Sequence, residues 1–303
     1  MMDEHEDAGR TVPTGLRSDV VRFQWGSLLL LAPAIVLLVG LFVGPVGYAF
    51  YLGFTNLQLI GPTATHFQFT GLTNVSRLLH DSTFYTSLGT TGFFVVGSVV
   101  GSLVVGMTLA MALQSAGRGI RIIVGSIAVI AWMMPALSAG LAWYATTVAG
   151  GVVPTFLGIP NTDFLARDPL LVVTIANIWS QTGFVMLVFS AALRNVPAEV
   201  LESAKVENSG PWQTFRKISL PMVWPTVVTT VLIEVLLSLG NFSLVYIMTQ
   251  GGPGNATNIL PVYSYQQAFS FQNLAYGALL GDVAVLLATV FAFAYVRVSR
   301  VKI

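Results

Sequence analysis

The chain has 303 residues, of which 54% are hydrophobic and 9% charged, with mean hydropathy +0.76 and formal net charge +1. Soluble domains carry roughly 25% charged residues, so this composition cannot clothe a water-facing globule, and lipid is the solvent for most of the chain. The small net charge supplies no field for nucleic acid. The absence of cysteine excludes disulfides, iron–sulfur clusters and thiolate zinc sites.

In chain order, an arm of residues 1–24 carries an acidic run (Asp3, Glu4, Glu6, Asp7) and then Arg10, Arg17 and Arg22. Six apolar stretches follow, at about Trp25–Leu52, Phe84–Leu113, Ile122–Ala149, Leu170–Leu193, Met222–Met248 and Tyr276–Val296. Each reaches the ~20 residues that carry a helix across the ~30 Å hydrocarbon layer. The first is too long for a signal-peptide core and is expected to be a retained helix. Alternating segments of ~10 residues, which a barrel would need, are lacking. The fold expected is all-α, polytopic, with six transmembrane helices in one domain over 25–298 and a tail at 299–303. Gly97 and Gly101 form a small-xxx-small pair that suits close helix packing. Pro45, Pro135 and Pro225 are expected to kink or start helices.

Twelve of the fourteen Lys and Arg residues fall on one side if every stretch crosses: the arm, Arg118, Arg121, Arg194, Lys205, Arg216, Lys217, Arg297, Arg300 and Lys302. Only Arg77 and Arg167 fall on the other. Cytoplasmic loops hold the excess of Lys and Arg, so both termini are expected in the cytoplasm of a multi-pass cell-membrane protein. His5, His66 and His80 lie outside the spans with no metal-ligand spacing, so no metal site is expected.

The longest loop on the basic side, 194–221, has internal structure. Pro197 suits a helix start, and Val200, Leu201 and Ala204 form an apolar stripe opposite Glu199, Glu202 and Lys205. Asn208, Ser209 and Gly210 break this helix, and Asn tolerates the left-handed conformation that ends one. Pro211 starts a second short helix, which Pro221 is expected to close. The result is an elbow. An interfacial helix resting on lipid would show a strongly cationic polar face; Glu199, Glu202 and Glu207 favour a protein partner instead.

The elbow resembles the E-A-A-x3-G-x9-I-x-L-P motif of ABC importer membrane subunits. Glu202, Ser203, Ala204, Asn208, Ile218, Leu220 and Pro221 fall on its positions with every gap correct, Ser203 and Asn208 being the two departures. The chain further resembles carbohydrate-importer permeases of the maltose and glycerol-3-phosphate type. The residues that carry this are Phe69, Gly71, Leu72, Asn74, Leu78, Leu79, Asp81 and Phe84, then Trp132 and Pro135, then Thr249, Gly251, Gly252, Pro253, Thr257, Leu260, Tyr263, Tyr265, Ala268 and Phe269. The resemblance implies a coupling elbow seated in a cytoplasmic ATPase dimer, with Ser203 and Ala204 permitting close docking, Glu202 held by polar groups, and Asn208 and Gly210 setting the angle. It also implies a second homologous permease subunit and an extracytoplasmic binding protein or lipoprotein; lipid surrounds the spans and nucleic acid has no part. The chain has no G-x-x-x-x-G-K-[ST] phosphate loop, so it is expected to be a transport subunit and not an enzyme. No cofactor is expected in this chain, with ATP and Mg held by the partner ATPase.

Candidate path residues are Gln181, Ser238, Asn241 and Phe242, beside Asn177, Ser180, Thr182 and Ser243, with Trp132, Trp143, Trp179 and Tyr144 as possible stacking faces. Each polar residue equally suits helix–helix hydrogen bonding. Glu234 and Asp282 are the carboxylates well inside spans. They suit substrate hydroxyls, proton coupling in a secondary transporter, or a tie between helices. An intramembrane enzyme would need a catalytic constellation inside the spans, and all three His lie outside. No Arg or Lys lies mid-span, which favours a neutral sugar over glycerol-3-phosphate.

Overall fold

The computed structural model describes residues 25–299. The arm 1–24, with Arg10, Arg17 and Arg22, and the tail residues Arg300 and Lys302 lie outside the described residues. The chain divides into two compact units at Tyr48 and Ala49. The first holds α1 (Trp25–Leu38), a π turn (Val39–Val43) and the opening of α2 (Gly44–Gly53). Leu41 and Phe42 are each 73% exposed there, as apolar side chains are where lipid is the solvent.

The second unit continues with α3 (Thr73–Leu79), α4 (Ser82–Ser115), α5 (Arg118–Met133), α6 (Ala136–Thr147), α7 (Val152–Phe156), α8 (Phe164–Arg167) and α9 (Pro169–Arg194). There follow α10 (Ala198–Val206), α11 (Pro211–Thr214), α12 (Leu220–Leu239), α13 (Phe242–Thr249), α14 (Leu260–Tyr265) and α15 (Leu274–Ser299). Among the described residues six helical runs are long and apolar enough to cross a membrane: Leu31–Gly53, Ser82–Ser115, Ala136–Phe156, Pro169–Arg194, Pro211–Leu239 and Leu274–Arg297.

Two of the expected spans are broken. The stretch Ile122–Ala149 divides at Met134 and Pro135, where Pro135 (φ −55°, ψ 136°) caps α6; a proline without an N–H starts a helix more readily than it continues one. The stretch Met222–Met248 divides at Gly240 and Asn241, and Asn241 (ψ 65°) leaves the helical region before α13.

The prolines at 45 and 221 behave differently. A π turn lies just before each, at Val39–Val43 and at Phe215–Ser219. Proline clashes with the carbonyl four residues back, here Leu41 and Lys217, and the wider turn moves that carbonyl aside. Pro221 therefore does not close the second elbow helix as expected: the helical run is unbroken from Pro211 to Leu239.

Glycine sets the closest approaches. A Cβ on Gly101 would lie 2.2 Å from Ile178 Cδ1, and one on Gly106 would lie 2.6 Å from Val185 Cγ1, so α4 packs on α9 along its glycine face. At Gly183 the contact is backbone itself, with the Ala128 carbonyl oxygen of α5 2.0 Å from the position a Cβ would take. Three apolar clusters fill the interior. One surrounds Phe94, Val173 and Val245, and a second, around Val185, Phe189 and Val223, reaches down to the elbow.

The third, around Phe84, Leu260 and Leu280, sits against a polar clamp at the opposite end. Asp81 caps α4 by accepting from Thr83 N at 2.9 Å and Phe84 N at 3.3 Å. Its other oxygen accepts from the hydroxyls of Tyr263 and Tyr276, both at 2.5 Å. Partial burial pushes the Asp81 carboxyl up, but these four hydrogen bonds outweigh it and hold the group below the usual carboxylate range. Burial and donation to Asp81 push the Tyr263 hydroxyl up to about 12. Arg77 lies 4.0 Å above the Tyr276 ring, a cation–π contact.

Candidate functional site

The elbow begins where α9 ends. Pro197 is the residue before α10 rather than its first. The α10 helix then ends in a Schellman motif: Ser209 N donates to Ala204 O at 3.0 Å and Asn208 N to Lys205 O at 3.0 Å. That closure requires a left-handed residue at the second position past the helix, and Asn208 supplies it with φ 55°. Asparagine stands where the importer motif has glycine and performs the glycine's conformational work.

The stripe read from the sequence turns inward. Leu201, Phe215 and Leu220 pack on the cluster of Leu193, Val196 and Val223, and Ala204 is 3% exposed. This corrects the docking role expected of Ala204: its small side chain lets α10 lie close on its own bundle. Gly210 is the extended residue that precedes α11. It has φ −66° and ψ 159° and open space at its Cβ, so nothing in the elbow angle demands glycine. Its carbonyl accepts from Thr214 N at 2.9 Å and so begins α11.

Glu202 and Ser203 face outward beside Glu199, Lys205 and Glu207. Pro221 is exposed, and Ile218 is half-buried. One residue the sequence reading passed over completes this face: Val206, 84% exposed. The signal for it was present, since an apolar residue on the polar side of an amphipathic helix wants a partner. Trp212, 68% exposed, instead lines an apolar hollow with Leu103, Met107 and Leu220. The same loop end gathers basic residues: Arg121 and Arg194 line one cavity. The loops after α4 and α9 therefore share one face, as alternate crossing requires.

The path candidates separate into groups. Asn177 of α9 donates to Ser238 Oγ at 3.2 Å and accepts from Asn241 Nδ2 at 2.7 Å, tying α9 to α12 and to the start of α13. One turn earlier on α12, Glu234 accepts from Ser102 Oγ of α4 at 2.8 Å. Its Oε1 has no protein partner. Glu234, Ser238 and Asn177 have no exposed surface, so they are withdrawn from any open path in this conformation and hold helices together. Gln181, 8% exposed, follows Asn177 by one turn on α9. Half-buried Phe242 begins an aromatic stack, with Tyr246 at 5.0 Å and Tyr265 at 4.9 Å between ring centroids. Asp282 stands apart on α15, where its Oδ2, also without a partner, would lie 3.0 Å from a Cβ at Gly53. Trp143 and Trp179 meet edge-on at 6.1 Å and pack against the core.

Residues 84–302 match the family described as "binding-protein-dependent transport system inner membrane component". The chain belongs to this family. It is thus an integral membrane transport subunit, and the match takes in α4 to α15 with the elbow at its centre. The chain is 31% identical to the sulfoquinovosyl glycerol transport system permease of Agrobacterium fabrum, over 91% of each chain. It is 29% identical to the sn-glycerol-3-phosphate transport system permease of Shigella flexneri, over 93% of this chain and 97% of that one. Its fold is similar to a chain from the crystal structure of a bacterial ABC transporter that imports the acidic polysaccharide alginate. There the TM-score is 0.76 at 19% identity, covering 92% of this chain and 96% of the other.

Proposed function

We propose that this permease imports a neutral sugar or glycoside, and that its elbow couples a separate ATPase dimer to the spanning helices. The observation that carries the coupling reading is the elbow's two-sidedness. Its inner face packs on the bundle through Leu201, Phe215 and Leu220 and buries Ala204, while its outer face presents Glu202, Ser203 and Val206 to solvent. A side packed on the bundle and an exposed side turned to solvent are what transmission of a push requires. When the ATPase subunits close on ATP and Mg, the elbow moves with them and α9 and α12 tilt. With the elbow end in the cytoplasm, both termini lie there too. The substrate path is completed by a second, homologous permease, and a binding protein or lipoprotein delivers the substrate to the opposite face.

Along the path, Gln181, Asn241 and Phe242 are the residues nearest to exposure, and helix tilting brings Glu234 and Ser238 out from between α4, α9 and α12. Amides, a hydroxyl and an aromatic ring suit sugar hydroxyls and ring faces. No Arg or Lys lies mid-span. Glycerol-3-phosphate is the second reading, favoured by the relative named for it; the missing cation would then come from the partner subunit. Uptake of labelled sugars and of labelled glycerol-3-phosphate by the whole assembly separates the two. Glu202→Lys is expected to abolish ATP-driven uptake with the protein still inserted. Normal uptake by that variant would refute the docking role.

A further inference from the structure

At the elbow end of the bundle, Arg121 and Arg194 border a cavity of about 310 Å³ between α4, α5 and α9. Through Arg121, Gly125 and Leu187 this cavity runs into an apolar hollow of about 450 Å³ that follows α5 from Ile122 to Ile130. Among the described residues the one ion pair is Arg167 with Asp168, so no carboxylate neutralises either cavity arginine. Arg121 is held in place. Its Nε donates to Leu113 O at 2.9 Å, and its Nη2 to Gln114 O at 3.0 Å and Ala116 O at 3.2 Å. These bonds close the C-terminus of α4, and Nη1 makes no protein hydrogen bond. Arg194 makes no side-chain hydrogen bond at all among the described residues. With both arginines exposed and without a carboxylate partner, the cavity mouth carries uncompensated positive charge that attracts an anion.

The apolar hollow decides which anion. The eight steps of 1.5 Å from Ile122 to Ile130 give it about 12 Å along α5, a length that half an acyl chain fills. A free phosphate would satisfy the arginines and leave the hollow empty. A zwitterionic phospholipid would bring its phosphate with a cation of its own beside it, and so would compensate the arginines less than an anionic one. We propose that this is a binding site for one anionic phospholipid, its phosphate between Arg121 and Arg194 and one acyl chain along α5. Basic pockets between spanning helices recognise anionic headgroups in this manner. The site sits where α9 enters the elbow, so its occupant braces the root of the coupling segment.

The test is lipid retention by the importer complex, purified in detergent and equilibrated with dioleoyl phosphatidylglycerol or dioleoyl phosphatidylcholine. Bound lipid is counted by native mass spectrometry. Phosphatidylglycerol is expected to be retained at least tenfold more tightly than phosphatidylcholine. Arg194→Gln removes a charge that no protein group uses, and Gly125→Leu fills the hollow from a position with nothing within 4 Å of its Cβ. Each is expected to lower phosphatidylglycerol retention about tenfold with the complex intact. Equal retention of the two lipids overturns the proposal, as does undiminished retention in both variants. Displacement by glycerol phosphate as effectively as by the lipid would assign the arginines to a free anion and also overturn it. So would cross-linking of a neighbouring subunit's helix into the hollow from Gly125→Cys.

Discussion

Replacing Gly183 by alanine puts a methyl carbon 2.0 Å from the Ala128 carbonyl oxygen and 2.7 Å from its carbon. Ordinary contact begins at 3.4 Å, so α5 and α9 must part by about 1.4 Å. The obstructing atoms are backbone, and no rotamer change can make room. Overpacking a filled interior costs roughly 1–3 kcal/mol. Alanine returns about 1 kcal/mol of helix propensity over glycine, so a net loss of about 0–2 kcal/mol is expected against the wild-type protein and about 1–3 kcal/mol against a glycine-to-alanine change in open space. Gly125→Ala is the control: its Cβ meets nothing within 4 Å, and the propensity gain should stand alone. Unfolding in mixed micelles of increasing SDS content is followed by the fluorescence of the six tryptophans, one of which, Trp132, has its Cβ 2.9 Å from the same methyl position. If Gly183→Ala unfolds at the same SDS fraction as Gly125→Ala, the claim that backbone contact at Gly183 sets the α5–α9 distance is wrong.

Two further outcomes follow from particular groups. Asp81 has a folded-state pKa below its unfolded one, so its contribution is present above the unfolded value near ~4 and is lost as pH falls through the folded value. Asp81→Asn should be less stable at neutral pH, and its deficit should shrink on acidification; a deficit independent of pH would contradict the clamp. At the elbow, Asn208→Val forces a β-branched residue to φ 55° and should destabilise α10 by about 1–2 kcal/mol, whereas Asn208→Gly should leave uptake intact. Equal uptake by the two variants would remove the Schellman closure from the coupling argument.

What was legible in the sequence is what lipid and local geometry dictate. Apolar runs above 20 residues announce spans because hydrocarbon admits little else. Asn208 announced its left-handed turn because few residues tolerate one, and the inward stripe of Leu201 and Ala204 followed from helical period. The break at Met134 was announced by Pro135, but the one at Gly240 was not legible, because hydropathy is averaged over a window and a single capping residue does not lower it. The continuity through Pro221 was hidden because the proline rule assumes a regular turn, and the π turn at Phe215–Ser219 evades it. Ser102 was missed altogether. A serine in an apolar helix looks like packing, and its partner Glu234 lies 132 residues away, a distance no spacing rule spans. Ala204 was placed on the correct stripe and given the wrong neighbour, because a small side chain suits a bundle as well as a partner.

The central claim is that the outer face of the elbow meets a nucleotide-binding partner, and the chain's lack of cysteine makes a direct measurement possible. Val206→Cys places the chain's single thiol on a side chain position 84% exposed, and Ala204→Cys places it two residues away at a position 3% exposed and turned to the bundle. In membranes holding the whole assembly, a short thiol-to-amine cross-linker should join Val206→Cys to the ATPase subunit and leave Ala204→Cys unjoined. Failure of Val206→Cys to join, or joining from Ala204→Cys alone, would contradict the account.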